Sequence, residues 1–121
     1  LLFVLWTAFA KETGPGPADV AIAYEHAWDR FDFDLLFSLS GDELRDNMRR
    51  DAFVAAKRAA YASASHNGQP PADVRVDEMV QANQTAIVVT RVSTAGGSMT
   101  NNVVLEKRAA GWLVVGYSMK P

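Results

Sequence analysis

Apolar residues recur at Val20, Tyr24, Ala27, Trp28 and Phe31, a spacing of i, i+4, i+7, i+8 and i+11. That period is helical and predicts a helix over about 17–31 with one apolar stripe carrying three aromatics. Pro17 suits its first turn, where a missing N–H costs nothing. Asp19, Glu25, Asp29 and Arg30 fall away from the stripe. Next, Asp32 and Asp34 bracket Phe33 ahead of Leu35, Leu36 and Phe37, which reads as a tight turn into a short helix. Ser40 and Glu43 have the spacing of a capping box, so another short helix is expected from Ser40 to about Asn47–Arg50. Asp51 is a good N-cap for a helix over 52 to about 64, with Phe53, Ala56, Ala60 and Tyr61 facing inward. Breakers from His66 to Pro71 end it.

Beyond Pro71 the period changes to two. "DVRVDEMVQA", "TAIVVTRVST", "MTNNVVLEKR" and "GWLVVGYSM" read as four strands. They are joined by turns at Asn83-Gln84, at Ala95–Ser98 and at Ala109–Gly111. Helices followed by a run of hairpin-linked strands give an α+β class, with N-terminal helices packed on an antiparallel sheet of about four strands. Several strands are apolar on both faces: Ile87 and Val89 alternate with Val88, Thr90 and Val92, and Val104 alternates with Val103 and Leu105. Tyr117 alternates out of phase with Trp112 and Val114. A second apolar face requires a cover: a partner subunit, the N-terminal segment or a ligand.

The first seventeen residues, "LLFVLWTAFAKETGPGP", stand apart. Residues 1–13 form an apolar helical segment, 14–17 a breaker-rich linker, and 18–121 the domain proper. A ten-residue helix spans roughly 15 Å, about half a bilayer core. With Trp6 and Lys11 placed as interface anchors, the segment reads as a membrane stub, a signal remnant or a docking helix. The alternative is an amphipathic helix covering the domain's own core.

Composition narrows the chemistry. A chain of 121 residues accommodates one domain with a sizeable core. The absence of cysteine excludes disulfides, thiolate metal sites and cysteine nucleophiles. The net charge of −2 argues against a nucleic-acid partner. The two histidines, His26 and His66, lack ligand spacing, so neither metal nor cofactor is expected. Arg45, Arg49, Arg50, Lys57 and Arg58 interleave with Asp42, Glu43, Asp46 and Asp51, which reads as a solvated face with local ion pairs. Asn83-Gln84-Thr85 matches a glycosylation acceptor as well as a turn. Tyr24, Trp28 and Phe31 either line a ligand pocket or form plain core. Arg91 is a charge inside a β-branched run and either points inward at an acidic ligand or lies at an interface. One of Asn101 and Asn102 faces inward. The pocket candidates are therefore Tyr24, Trp28, Phe31, Tyr61, Arg91, Asn101, Trp112 and Tyr117, with no catalytic residue assigned.

The stretch "VAIAYEHAWDRFDFDLLFSL" resembles the first helix and turn of the nuclear-transport-factor-two-like superfamily, and "VVLEKRAAGWLVVGYSM" resembles its last hairpin. The resemblance covers about 18–119. It implies a strongly curved sheet wrapped around helices as a cone with a pocket, and dimerisation through the outer sheet face. Ketosteroid isomerase, a relative by this resemblance, uses a strand carboxylate as base with a tyrosine and a protonated acid as oxyanion donors. Here the strand carboxylates are Asp73, Asp77, Glu78 and Glu106, and none interrupts an apolar mid-strand position. The expectation is a non-enzymatic accessory or binding domain of a bacterium. It is membrane-tethered outside the cytoplasm and binds a partner protein or a small apolar ligand. The alternatives are an isomerase- or dehydratase-like enzyme with Tyr24 and one carboxylate as acid–base groups, and a structural subunit of a membrane complex. A soluble cytoplasmic location is the alternative to tethering.

Overall fold

The structure, a computed structural model, describes residues 14–64 and 69–121. The readings of the apolar segment at 1–13, and of His66 within the helix-ending breakers, lie outside the described residues. Among those described, no helix is long and apolar enough to cross a membrane.

Among the described residues, three helices and four strands follow in the expected order. They are α1 (Pro17–Arg30), α2 (Phe33–Leu39), a single 3₁₀ turn (Asp42–Leu44), α3 (Arg50–Ala60), β1 (Asp73–Ala82), β2 (Thr85–Thr94), β3 (Gly97–Arg108) and β4 (Gly111–Met119). The strands form an antiparallel meander in the order β1-β2-β3-β4. The sheet is curved and unclosed, with the helices on its inner face. The class is α+β.

Local chemistry sets the helix ends. The Asp19 carboxylate accepts from the Gly16 N–H at 3.2 Å at the start of α1. Its C-terminus closes with Phe31 in the left-handed region (φ 56°) and the Asp32 N–H bonded to the Ala27 carbonyl at 2.9 Å. That is a Schellman closure with an aromatic where glycine is usual. Asp32 then caps α2, accepting from the Leu35 N–H at 3.1 Å.

Two sequence expectations about the middle of the chain need correction. Ser40 does not start a helix. Its hydroxyl donates back to the Leu36 carbonyl at 2.7 Å, and its backbone bridges Val114 of β4. The neighbouring Gly41 N–H donates to the Val114 carbonyl at 2.7 Å. A strand-like splice onto β4 competed successfully with the capping box, leaving one 3₁₀ turn. α3 begins at Arg50 rather than after Asp51, with Arg49 as N-cap and no side-chain cap bond. Its buried residues are Phe53 and Val54, whereas Ala56 and Ala60 are exposed. Among the described residues α3 packs on α2, with the Lys57 ammonium also 5.5 Å from the Trp28 ring centroid on α1, and the alanine face stays exposed.

The core lies between α1, α2 and the inner sheet face: Val88, Val103, Leu105 and Val114 of the sheet against Val20, Ala21, Tyr24, Phe33, Leu36 and Phe53. Fully burying one such aliphatic or aromatic side chain contributes about 1.5–3 kcal/mol. Two bulges bend the sheet. Asp77 is extra on β1, between Val76 and Glu78, and Val115 is extra on β4, opposite the Val104–Leu105 step. The second bulge has a further effect. It flips the alternation of β4, so Tyr117 points to the same inner face as Trp112 and Val114, contrary to the simple period-two reading.

The 3₁₀ turn is also tied to the last hairpin. Arg108 donates to both Glu43 oxygens, at 2.9 and 2.5 Å. This pairing holds the Glu43 carboxyl down from 4.5 to about 2. A depressed native value means that the pair stabilises the fold above about pH 4.5, and that this contribution disappears as pH falls toward 2. We predict that Glu43→Gln makes the acid-side decline in stability shallower over that window, and that high salt shrinks the difference. Urea midpoints measured across pH check this; identical acid slopes in both proteins would contradict it.

Candidate functional site

The centre of the molecule holds one buried charge. Glu25 is 3% exposed and, among the described residues, is the one charged side chain inside the core. It lies beside the apolar stripe on α1, one turn beyond the buried Ala21. The sequence reading placed it away from the core, because only the narrower stripe was counted. Three consecutive strands supply its partners. The Thr90 hydroxyl on β2 donates to Oε2 at 2.5 Å, the Asn101 amide on β3 donates to Oε2 at 3.0 Å, and the Tyr117 hydroxyl on β4 donates to Oε1 at 2.5 Å. Asn101 also donates to the Tyr117 oxygen at 3.1 Å. Among the described residues no lysine, arginine or histidine pairs with Glu25.

The carboxylate is therefore held by neutral donors alone. Hydrogen bonds to a charged acceptor are the stronger kind, and three of them offset much of the cost of desolvation. Burial, followed by the hydrogen bond to Glu25 and its charge, pushes the Tyr117 phenol well above its ordinary value of 10. Burial likewise raises the Tyr24 phenol, partly offset by Trp28 and Ser40 beside it. Tyr24 meets Tyr117 edge-on, with ring centroids 5.0 Å apart. The Trp28 indole N–H is buried near the Tyr24 hydroxyl but makes no hydrogen bond of normal geometry.

The sequence-selected residues separate into three places. Tyr24, Asn101 and Tyr117 meet at Glu25, and Asn101 is the inward member of its pair. Trp28, Phe31 and Tyr61 gather around Phe33 at the end of α1, with Phe31 stacked on Phe33 at 5.6 Å and Trp28 edge-on to Tyr61 at 5.4 Å. Trp112 is buried in the core at the start of β4. Arg91 does not point inward. It sits exposed on the outer face of β2, its Nη2 2.8 Å from Asp77 Oδ2, because Thr90 holds the inward position. The carboxylate sought on the strands comes instead from a helix. The signal available in the sequence was the row Ala21–Glu25, four residues apart and flanking the aromatic stripe. His26 is half-buried on α1.

Two substitutions test the cluster. Glu25→Ala removes the acceptor of three hydrogen bonds, two of them from the buried Thr90 and Asn101, and is expected to cost about 3 kcal/mol. Glu25→Gln, which retains an acceptor, costs less; urea denaturation of both variants gives the order. Tyr117→Phe removes a group whose native ionisation is suppressed. A raised native value stabilises below about pH 10 and loses that contribution as pH rises further. The variant is therefore less stable at pH 7 but declines less steeply above pH 10, which alkaline unfolding curves read directly.

Neither a family model nor a curated protein matches the chain. Solved structures do. A Thiobacillus denitrificans protein named as a calcium/calmodulin-dependent protein kinase type II association domain superposes with a TM-score of 0.64 at 18% identity, over 88% of this chain and 95% of that one. An NTF2-like protein of unknown function from Shewanella oneidensis gives 0.59 at 17% identity, over 84% and 93%. Another from Silicibacter pomeroyi gives 0.58 at 16%, over 84% and 90%. At such identities the correspondence is one of fold, and it agrees with the element order, the bent meander and the helices on its inner face. The chain has the fold of the nuclear-transport-factor-two-like superfamily.

Proposed function

We propose that this is a non-catalytic binding domain that docks a second protein chain, foremost a second copy of itself, on the outer face of its sheet. The observation that carries the reading is an exposed apolar row crossing the sheet. Val80, Ile87 and Val104 pair side by side on β1, β2 and β3 and face away from the helices. Val80 is 68% exposed and Ile87 44%. β-branched residues left in open water on a sheet face present apolar area that an interface removes. Glu78 and the Arg91–Asp77 pair lie at its margin and give the polar rim common to such surfaces.

The interior supports the non-catalytic half of the proposal. Glu25 spends its acceptors on Thr90, Asn101 and Tyr117 rather than presenting one to a reactant. Two surface clefts, of about 830 and 510 Å³, include neither Glu25 nor those partners. An acid–base enzyme needs its carboxylate within reach of a proton on bound substrate. The apolar run at 1–10, with Trp6 and Lys11 as interface anchors, supports a membrane tether for this domain.

The test is the oligomeric state of the full chain by sedimentation equilibrium, with Ile87→Lys and Val80→Lys as variants and circular dichroism to confirm folding. The proposal expects a dimer that either lysine converts to monomer. A monomeric wild-type chain, or a dimer that both lysines leave intact, would reject it.

A further inference from the structure

The arginine-rich stretch between α2 and α3 does more than form a solvated face. Arg45, Arg49 and Arg50 line one cleft of about 510 Å³ together with Phe37, Asp42 and Met48. Its volume falls in the range of small-ligand sites. Two of the three guanidiniums are fixed in advance. Arg45 donates through Nε and Nη2 to the Phe37 carbonyl, at 3.3 and 3.1 Å, and its guanidinium carbon lies 4.1 Å from the Phe37 ring centroid. Arg50 donates to the Asp34 carbonyl at 2.9 Å and to the Ser38 hydroxyl at 2.8 Å, with its guanidinium carbon 4.9 Å from the same centroid. Phe37 thus serves as a common platform for two cations.

Charge is not balanced there. Three arginines face one lining carboxylate, Asp42, in a chain whose net charge is −2. Asp42 is 91% exposed and 3.5 Å from Arg45, a solvated contact of little strength. Asp34 reaches Arg50 only at 3.6 Å and is itself largely exposed. The Arg49 side chain makes neither an ion pair nor a hydrogen bond with the described residues; only its backbone carbonyl, accepting from the Phe53 N–H at 2.9 Å, serves α3. Anchoring the loop to Phe37 accounts for Arg45 and Arg50; it does not account for Arg49.

We propose that this cleft binds the phosphate or carboxylate group of a small molecule, held between Arg45, Arg49 and Arg50, with the ligand's apolar part against the exposed Met48. Guanidinium forks match both oxyanions, and forks already immobilised by Phe37, Asp34 and Ser38 lose little further freedom on binding. The site is separate from the outer sheet face and does not depend on the dimer.

The test uses the full chain, titrated with inorganic phosphate, with acetate and with chloride at matched ionic strength. Backbone amide and guanidinium resonances are followed by NMR. Saturable phosphate or acetate binding is expected, with shifts centred on Arg45–Arg50. It should weaken about tenfold in Arg49→Gln and stay unchanged in Arg58→Gln, an exposed arginine of α3 outside the cleft. Binding of phosphate alone assigns a phosphorylated ligand; equal binding of acetate assigns a carboxylate ligand. A response that chloride reproduces, the absence of saturation, or equal affinity in Arg49→Gln and wild type would overturn the proposal.

Discussion

The hydrogen bonds from Thr90, Asn101 and Tyr117 to the Glu25 carboxylate set the relation between the first helix and the sheet. Apolar packing alone tolerates sliding of a helix along a smooth aliphatic surface, because hydrophobic burial is non-directional. A buried carboxylate tolerates far less. Each unpaired donor or acceptor inside a core carries a large desolvation penalty, so the network is either fully made or strongly unfavourable. With one donor on each of β2, β3 and β4, a single side chain fixes α1 against three strands together.

That arrangement depends on an irregularity elsewhere. Without the extra residue at Val115, Tyr117 would face outward with Leu113, and Glu25 would lose its partner on β4. The bulge therefore bends the sheet and delivers the tyrosine. The same strand receives the Ser40–Gly41 splice at Val114, so the segment after α2 is held to the sheet close to the bulge. Curvature, polar pin and splice converge on β4, and this part of the core is completed only when that strand is in place.

With its inner face occupied by helices and its buried charge satisfied internally, the molecule turns its unspent chemistry outward. The outer sheet face carries an apolar row of Val80, Ile87 and Val104 across β1, β2 and β3. The helical side carries a cleft lined by Arg45, Arg49 and Arg50, the first and last of them over Phe37. These surfaces differ in character: one is an apolar row on the strands, the other a small arginine-lined cleft on the segment between α2 and α3, where Arg45 and Arg50 are tied back to α2.

The sequence by itself determined the α+β class, the helix over about 17–31, the turn into α2, four strands with their hairpins and the twofold apolar character of the sheet. These follow from periodicity and breakers, which act over a few residues. The Asp32 cap was also within local reach. The tertiary structure alone decided the rest. Ser40 had a sound capping pattern, yet the bridge to Val114, distant in sequence, outweighed it. Ala56 and Ala60 had helical spacing, but among the described residues they stay exposed. Arg91 could be placed on a face only once Thr90 was seen to bond Glu25. Glu25 itself looked like a surface residue, since a charge beside an apolar stripe is ordinarily solvated. Its burial became favourable when donors from three strands arrived together, and a bulge that shifts alternation by one residue leaves little trace in composition or period.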